Sequence, residues 1–266
     1  MRIDLAEFHV PESLGLDDMP DLLRHWYLGP PARRHMMLRR FAEVAAELRG
    51  KPGDTVLDIG SAWGFNAMAL ECLGYTATAL DLVVDQFPVG RLVAAANGVR
   101  LEAVGASAAA LPFPPETFDF ITMVETFEHI YLEDRAAAMS ECHRVLKPGG
   151  CIVLSTPNYN GIVEWFKRVV GDREWLRRKF HACYADEGVG REDYHPYRYH
   201  QPMPDARIAA LLTGAGFHVE HCFHFLFMLK ETSDWLFAAA RTAESIAERL
   251  PLVRKLAATA CFTARK

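Results

Sequence analysis

The chain has 266 residues, of which 50 % are hydrophobic, and its formal net charge is −5. This length suits one large α/β domain with additions, and the negative charge provides no global basic field that would attract nucleic acid. Six cysteines without a C-x-x-C pair indicate reduced thiols rather than a disulfide framework or a cysteine-bound zinc site. No uninterrupted apolar run is long enough to span a bilayer, so we expect a cytoplasmic protein without a transmembrane segment.

Residues 1–49 predict an α-helical cap in front of the main domain. Apolar residues recur at helical spacing within residues 32–49, and the arginines occupy the other face. Pro31 favours a helix start, and residues 50–53, Gly-Lys-Pro-Gly, end the helix. We interpret the apolar stripe of this helix as core packing.

A short apolar run, Thr55–Ile59, predicts a buried strand that leads into a glycine-rich turn. The strand contains a carboxylate, Asp58, and small residues follow it at alternate positions: Gly60, Ala62 and Gly64. Small residues let backbone amides approach a ligand closely and let a helix start directly after the strand. The stretch therefore predicts a ligand-binding turn.

The second strand is predicted over residues 75–80 and ends at Asp81. An acid about 20 residues beyond a glycine turn, at the tip of a second strand, is placed to accept hydrogen bonds from the two hydroxyls of a ribose. The ligand is therefore expected to contain a nucleoside. Pro88 and Gly90 then predict an irregular connection, and we place the next helix over residues 91–97.

Strands and helices continue to alternate, with further strands predicted over residues 99–104, 118–124 and 151–156. Such alternation implies right-handed crossovers and a parallel sheet with helices on both faces. Ligands bind beyond the carboxyl ends of the strands in sheets of this kind. Asp58, Asp81 and the turn at residues 105–107 can therefore meet one ligand.

Two classes of nucleoside-binding protein compete for this pattern. A nicotinamide dehydrogenase would need a further glycine in register to seat a pyrophosphate at the helix N-terminus, and no such glycine follows Gly64. A carboxylate two residues before Gly60 suits a ligand that carries an amino group rather than phosphates. These residues favour S-adenosylmethionine.

At this point the chain resembles the class I S-adenosylmethionine-dependent methyltransferases, and within them the small-molecule group that includes the quinone-biosynthesis methyltransferases. The resemblance rests on five stretches in the family's order: residues 56–64, Asp81, residues 111–119, residues 125–130 and residues 144–158. It implies a Rossmann-like α/β fold, with a seven-stranded sheet whose last strand is antiparallel, helices on both faces and an α-helical cap.

The resemblance assigns cofactor contacts to Asp58, Gly60, Ala62, Gly64, Asp81, Leu82, Ala106, Ser107 and Val124. It implies that Asp58 and Gly60 hold the methionine end of the cofactor and that Asp81 holds the ribose hydroxyls. The backbone near Val124 would meet the cofactor's amino group.

The adenine contacts implied by the resemblance come from two later turns. Leu82 would cover the adenine face, and the turn at Ala106 and Ser107 would meet the adenine edge. Two residues depart from the family pattern. Ala62 replaces the usual middle glycine, and Ser107 stands where an aspartate commonly binds the adenine amino group.

The end of the fourth strand carries a dense group of titratable residues, Glu125, Glu128 and His129. An oxygen acceptor must lose a proton during methyl transfer, which makes His129 a candidate general base and the two glutamates its catalytic partners. Alternatively, the three residues bind a divalent metal together with His195, since their spacing resembles the metal site of small-RNA 3'-terminal methyltransferases. A third interpretation is a set of hydrogen-bonded loop residues without a chemical role.

We divide the chain into four parts: the N-terminal cap of residues 1–49, a cofactor-binding core of residues 50–158, a lid insertion of residues 159–204, and a C-terminal part of the core with extra helices, residues 205–266. The insertion is too long for a simple connection. Its first half, rich in aromatic residues and arginines, fits a substrate lid, a membrane-surface helix or an interaction face, and we favour the lid. The extra helices could extend the cap or form a homodimer contact.

The sequence therefore predicts an S-adenosylmethionine-dependent methyltransferase that acts on a small, partly apolar acceptor, with oxygen favoured over nitrogen or carbon. The acceptor-pocket candidates are Tyr159, His195, Tyr197 and Tyr199. An RNA or protein methyltransferase is the first alternative, although the net charge does not favour a nucleic-acid partner. A non-catalytic binding protein that retains the cofactor fold is the second.

Overall fold

The computed structural model describes residues 8–11, 13–20, 23–24, 28–171, 199–229 and 232–266. The strands in this part of the chain are β1 (Thr55–Ile59), β2 (Thr76–Asp81), β3 (Glu102–Gly105), β4 (Phe118–Val124), β5 (Leu146–Pro157), β6 (His218–Phe225) and β7 (Thr259–Arg265). The α-helices are α1 (Pro31–Glu47), α2 (Phe65–Cys72), α3 (Phe87–Ala96), α4 (Arg135–Val145), α5 (Ile162–Gly171), α6 (Asp205–Gly214), α7 (Asp234–Ala247) and α8 (Pro251–Arg254). Short 3-10 turns occur at Leu16–Asp18 and Phe127–His129.

The strands form a single seven-stranded sheet in the order β3-β2-β1-β4-β5-β7-β6. Strands β1 to β5 pair in parallel, and β7 inserts antiparallel between β5 and β6. This arrangement confirms the expected Rossmann-like sheet with an antiparallel last strand. The strand order reverses between β1 and β4, and that reversal opens a crevice at their carboxyl ends.

Apolar side chains from the helices cover both faces of the sheet. On one face, Phe41 and Val44 of α1 and Met68 of α2 belong to one buried cluster. On the other face, Met139 of α4 and Ile208 of α6 belong to a second cluster. Each such side chain contributes about 1.5–3 kcal/mol through its burial. The two clusters fix the sheet, and with it the position of the crevice.

Helix α3 begins at Phe87, so the irregular connection predicted around Pro88 and Gly90 is wrong. Pro88 lies in the first turn of the helix, where backbone N–H groups have no intrahelical acceptor and proline is tolerated. Gly90 allows close packing, because a β-carbon there would lie 1.8 Å from the backbone oxygen of Trp63. Both residues therefore serve the helix.

The division into four parts stays a prediction. Of the proposed lid insertion, the structure describes residues 159–171 and 199–204, whereas His195 and Tyr197 lie outside the described residues. Helix α1 of the proposed cap packs against the sheet. Among the residues that the structure describes, no helix combines the length and the apolar character needed to cross a bilayer.

Candidate functional site

A cavity of about 340 Å³ opens at the carboxyl ends of β1 to β4, beside the point where the strand order reverses. Its wall includes nine of the residues singled out from the sequence: Gly60, Ala62, Asp81, Leu82, Ala106, Ser107, Val124, Glu125 and His129. Its volume is in the range of small-molecule sites. Residues from the ends of all four strands therefore line one cavity, although Asp58, which the sequence also directed to this ligand, is not among them.

The turn after β1 brings backbone directly against this cavity. Gly60 has a φ of 76°, and a β-carbon on it would lie 2.1 Å from Oγ1 of Thr126. Ala62 has a φ of 50°, a left-handed conformation that costs a residue with a β-carbon about 1–2 kcal/mol. Its N–H donates a hydrogen bond of 2.8 Å to Oδ2 of Asp81, which helps hold alanine in place of the usual glycine.

Asp81 joins the turn after β1 to the end of β2. Its Oδ2 accepts from the N–H of Ala62, and its Oδ1 accepts from the N–H of Val83 at 2.9 Å. Burial raises the pKa of this carboxyl group, an effect that these backbone hydrogen bonds oppose. A carboxylate oxygen has two lone pairs, so both oxygens keep acceptor capacity at the cavity wall.

Asp58, by contrast, is fully buried and is not part of the wall. Its Oδ1 accepts a hydrogen bond of 2.8 Å from the Thr122 hydroxyl. Burial raises the pKa of Asp58 to about 7, because desolvation of the carboxylate outweighs the nearby Ser61 and Thr122 hydroxyls. Asp58 therefore links β1 to Thr122 of β4 and does not line the cavity.

A cation and an acid face each other on the cavity wall. Arg40 of α1 and Glu125 form an ion pair, with Nη2 of the arginine 2.9 Å from Oε2 of the glutamate. Burial raises the pKa of Glu125 to about 7, and Arg40 opposes this shift. Two buried acceptor atoms in the wall, Oε1 of Glu125 and Oε1 of Gln86, have no hydrogen bond of normal geometry within the described residues. A ligand with both a carboxylate and an amino group would satisfy this wall.

The ring of His129, at the cavity wall, is oriented by a backbone carbonyl. Its Nδ1 lies 2.6 Å from the backbone oxygen of Tyr199, and because a carbonyl only accepts, Nδ1 carries the proton and Nε2 carries a lone pair. Nε2 is 3.8 Å from Oε1 of Glu128. Burial, followed by repulsion from His200, lowers the pKa of His129 to about 4. The imidazole is therefore neutral at pH 7.

Two of the predicted metal ligands lie close together, beside a histidine that the prediction did not include. Within the described residues, Glu128, His129 and His200 offer ligand atoms that lie within 4.8 Å of one another. Glu125 does not belong to this group, because its carboxylate pairs with Arg40. His195 lies outside the described residues. Two of the four predicted ligands, Glu128 and His129, thus group with His200, and these three could hold a divalent ion of borderline character such as Mn²⁺ or Zn²⁺.

Comparisons with known proteins bear on the same region. Residues 57–154 match a family model described as a methyltransferase domain. The fold is similar to that of a S-adenosylmethionine-dependent methyltransferase from Archaeoglobus fulgidus, with a TM-score of 0.59, 16 % identity, and 92 % of this chain and 98 % of that chain covered. A second such structure, from Mesorhizobium loti, has a TM-score of 0.58 at 17 % identity and covers 85 % and 96 % of the two chains.

The chain contains a class I S-adenosylmethionine-dependent methyltransferase domain. Among curated proteins, it is 32 % identical over 133 residues to the ubiquinone biosynthesis O-methyltransferase of Klebsiella pneumoniae, covering 50 % of this chain and 54 % of that protein. The corresponding protein of Dinoroseobacter shibae is 32 % identical over 161 residues, covering 59 % and 64 %. The chain thus spans between about half and two thirds of the length of these relatives. The family implies S-adenosylmethionine as the methyl donor.

Several of the predicted site residues lie away from the cavity wall. Gly64, Glu128, Tyr159 and Tyr199 are not part of the wall. The Tyr159 ring packs under a guanidinium, 4.1 Å from Cζ of Arg168. Tyr199 is buried, and its backbone oxygen orients His129. In this structure Tyr199 positions the candidate base from outside the cavity wall.

Residues 199–201 are fastened to the loop at residues 128–132 of the methyltransferase domain. Besides the bond from His129 to Tyr199, the Leu132 N–H donates to the Tyr199 hydroxyl at 3.1 Å, and the Gln201 N–H donates to the Glu128 backbone oxygen at 3.0 Å. The buried guanidinium of Arg135 donates to the backbone oxygens of Gln201, Glu128 and Ile130 at 2.7, 3.1 and 3.0 Å. The candidate base is therefore held on a braced loop.

The buried Asp58 predicts how the stability of the ligand-free domain depends on pH. The folded state holds the Asp58 proton more tightly than the unfolded state, because the pKa rises from 3.8 to about 7. The protonated Asp58 therefore stabilises the folded state. This stabilisation is fully present below pH 3.8 and is lost as the pH rises through 7, and its full value is on the order of 4 kcal/mol. The free energy of unfolding, measured in urea, should fall less with rising pH in Asp58→Asn than in the wild type. The matched control is Asp85→Asn, an exposed acid, and a wild-type slope in Asp58→Asn would contradict the assignment.

Proposed function

We propose that the protein transfers a methyl group from S-adenosylmethionine to an oxygen atom of a small, partly apolar acceptor. The observation that carries the proposal is that a carboxylate, a cation and a neutral imidazole line one cavity, contributed by Asp81, Arg40 and His129. These three groups match the ribose, the amino-acid carboxylate and the acceptor proton that such a reaction requires.

The residues present fit the cofactor. Asp81 would accept hydrogen bonds from the ribose hydroxyls, and Arg40 would face the carboxylate of the methionine end. The turn at Gly60 brings its backbone to the cavity wall, where a β-carbon would collide with Thr126. Leu82, half-exposed at the wall, is placed to cover adenine, and Ala106 and Ser107 belong to the same wall.

When bound, S-adenosylmethionine supplies a methyl group on a sulfonium centre, whose transfer is an in-line displacement. The protein's contribution is alignment and proton removal. Apolar wall residues, among them Met37, Phe65 and Ile130, exclude water and suit an apolar acceptor. Nε2 of His129 accepts the hydroxyl proton, and the imidazolium that forms is stabilised by Glu128, 3.8 Å away.

Support for an oxygen acceptor comes from the names of the relatives, ubiquinone biosynthesis O-methyltransferases. Because the match extends over only part of those proteins, their names guide only the chemical class of the acceptor that we propose. Phenols and catechols with an apolar substituent are the acceptors to test first. The lid of residues 159–204 and the homodimer contact remain part of this proposal.

Isothermal titration with S-adenosylmethionine tests the cofactor, and turnover with phenol, amine and carbon acceptors, followed by mass spectrometry, tests the reaction. We expect His129→Gln to bind the cofactor as the wild type does but to lower kcat about 100-fold or more, because general-base assistance is lost. His218→Gln, an exposed histidine on β6, is the matched control. No cofactor binding would refute the proposal, and N-methylation without O-methylation would refute the acceptor class.

The same assays separate the remaining alternatives. Activity that survives excess chelator would favour His129 as the base, whereas its loss, restored by Mn²⁺ and abolished in His200→Ala, would favour the metal group of Glu128, His129 and His200. Cofactor binding without product from any acceptor would favour a non-catalytic role. An RNA substrate would require a basic track that includes Arg177, which lies outside the described residues.

A further inference from the structure

Three side chains of different chemistry meet at one edge of the sheet. Strand β6 is the last strand in the sheet order, and Cys222 and His224 lie on it two residues apart. Because side chains alternate along a strand, both point to the same face. Asp205, the first residue of α6, completes the group, and the ligand atoms of the three residues lie within 4.8 Å of one another. None of the three is part of the wall of the methyltransferase cavity.

The spacing of these side chains is close to that of a metal site. Nε2 of His224 lies 2.9 Å from Oδ2 of Asp205, and the ring N–H donates, because a carboxylate oxygen accepts. In a tetrahedral zinc site with sulfur, nitrogen and oxygen ligands, the ligand atoms lie about 3.3–3.6 Å apart. A metal ion in place of this shared proton therefore requires side-chain shifts of only about 1 Å.

The Asp205 carboxylate has an acceptor atom left over. Its Oδ2 accepts from His224, but its Oδ1 is buried and accepts no hydrogen bond from the residues that the structure describes. A buried carboxylate oxygen without a donor or a cation is unfavourable. A cation bound beside this carboxylate would remove the deficit.

The thiol of Cys222 is also poised for a cation. Desolvation of the sulfur, and then the Asp205 carboxylate, raise the pKa of Cys222 to about 12, although the residue as a whole is exposed. Without a cation the thiol therefore stays protonated. A divalent ion would replace the S–H bond by a metal–sulfur bond, release one proton to the solvent and offset the repulsion between thiolate and carboxylate.

The nearest arginine does not occupy this position. The Nε–H of Arg254 donates to the backbone oxygen of His224 at 2.6 Å, and its Cζ lies 5.3 Å from the centre of the Phe223 ring. Phe223 stands between the two ligand-bearing residues of β6, so its side chain points to the opposite face of the strand. The guanidinium is therefore directed away from the three ligand atoms.

A second cavity, of about 250 Å³, borders the group. Cys222 and His224 belong to its wall, together with Glu248, Arg249 and Lys255. A metal ion that has three protein ligands keeps its fourth position for water or another small ligand. The second cavity supplies room for that ligand, and its two cations favour a small anion.

We propose that Asp205, Cys222 and His224 bind one Zn²⁺ ion, with water or a small anion from the second cavity as the fourth ligand. Thiolate, imidazole and carboxylate together suit Zn²⁺, whereas Mg²⁺ and Ca²⁺ take oxygen ligands. The ion would join the edge strand β6 to the start of α6. The sequence indicated no zinc site because its cysteines are unpaired, but this group uses one cysteine and forms only in the folded chain. The proposal goes beyond methyl transfer and does not depend on it.

Titration with Co²⁺, a coloured substitute for zinc, tests the site by absorption spectroscopy. Neither cofactor nor acceptor is present, so its failure is separate from failure of the proposed function. We expect one Co²⁺ per chain, with a sulfur-to-cobalt charge-transfer band in the near ultraviolet and the visible bands of a tetrahedral ion. Zn²⁺ should abolish both by displacement, because it binds such ligands more tightly, whereas Mg²⁺ should not.

Replacement of each ligand should weaken the site to a different extent. Cys222→Ser should lose the charge-transfer band and lower the affinity for Zn²⁺, measured by isothermal titration, at least about 100-fold. His224→Gln should lower it by a similar factor. Asp205→Asn should lower it about tenfold or more, because the amide keeps one weaker oxygen ligand.

Matched controls leave the three ligands intact. Cys72→Ser removes a partly exposed thiol on α2, and His218→Gln removes an exposed histidine on β6 itself. His200→Ala disrupts the candidate metal group of the methyltransferase cavity. All three variants should keep the charge-transfer band. Thermal unfolding without metal checks that each ligand variant folds, as expected for replacements at a partly exposed edge.

Three results would overturn the proposal. The first is a cobalt titration without a sulfur band, or zinc binding of full strength in Cys222→Ser. The second is loss of metal binding in His200→Ala but not in Cys222→Ser, which would assign the metal to the methyltransferase cavity. The third is unchanged affinity in both His224→Gln and Asp205→Asn, which would reduce the site to a lone thiol.

Discussion

Replacement of Gly60 by alanine is expected to abolish measurable cofactor binding and to lower the free energy of unfolding by about 3 kcal/mol or more. Two effects combine. The φ of 76° disfavours any residue with a β-carbon, and that carbon would lie 2.1 Å from Oγ1 and 2.2 Å from Cγ2 of Thr126. The loop after β4, which carries Glu125 and His129, would have to move. Urea unfolding and isothermal titration with S-adenosylmethionine measure the two effects.

Gly53→Ala is the matched control for this prediction. Gly53 also has a positive φ, 91°, but a β-carbon there would meet no atom within 4 Å. Its alanine variant therefore measures backbone strain alone, about 1–2 kcal/mol, with cofactor affinity unchanged. Combining Gly60→Ala with Thr126→Gly should restore part of the lost stability. If Gly60→Ala and Gly53→Ala behave alike, the close packing of the turn against Thr126 does not matter.

Asp81→Asn should weaken the binding of S-adenosylmethionine about 100-fold. The Asp81 carboxylate already accepts hydrogen bonds from the N–H groups of Ala62 and Val83. In asparagine, the NH2 group would replace one carboxylate oxygen and would face one of these N–H donors without an acceptor between them. The variant would also lose one acceptor for the ribose. Hydrogen bonds to a charged group contribute about 1.5–3 kcal/mol each, which corresponds to a factor of about 10 to 150.

Asp85→Asn provides the comparison for Asp81→Asn, because it removes an exposed acid a few residues later in the same connection. The affinity for S-adenosylhomocysteine should fall by the same factor as that for S-adenosylmethionine, since both contain the ribose. A loss confined to S-adenosylmethionine would show that Asp81 acts near the sulfonium charge and would refute its assignment to the ribose.

The parts of the site that could be predicted from sequence are those set by local spacing. Strand period and turn composition placed Gly60 and Asp81 at neighbouring strand ends, and parallel pairing brings such ends together whatever the surrounding helices do. The expected seven-stranded sheet followed from the resemblance to the family. Both inferences needed no knowledge of how the helices pack.

Residues contributed by distant packing were missed. Arg40 lies on the arginine-rich face of α1, and helical periodicity cannot show that one edge of this face meets the end of β4. His200 comes from a segment far along the chain, and only the tertiary structure brings it to His129. The predicted grouping of Glu125 with Glu128 assumed a helical turn, but Glu125 has a φ of 52°, which directs its carboxylate to Arg40.

The fastening of residues 199–201 to the loop at residues 128–132 has a consequence for how the cavity exchanges its contents. Four hydrogen bonds would have to break together for this segment to swing away, and at about 1 kcal/mol each the detached state would be populated only about once in a thousand molecules. Residues 199–201 therefore form a rigid segment beside the candidate base. An acceptor must therefore enter the cavity without displacement of this segment.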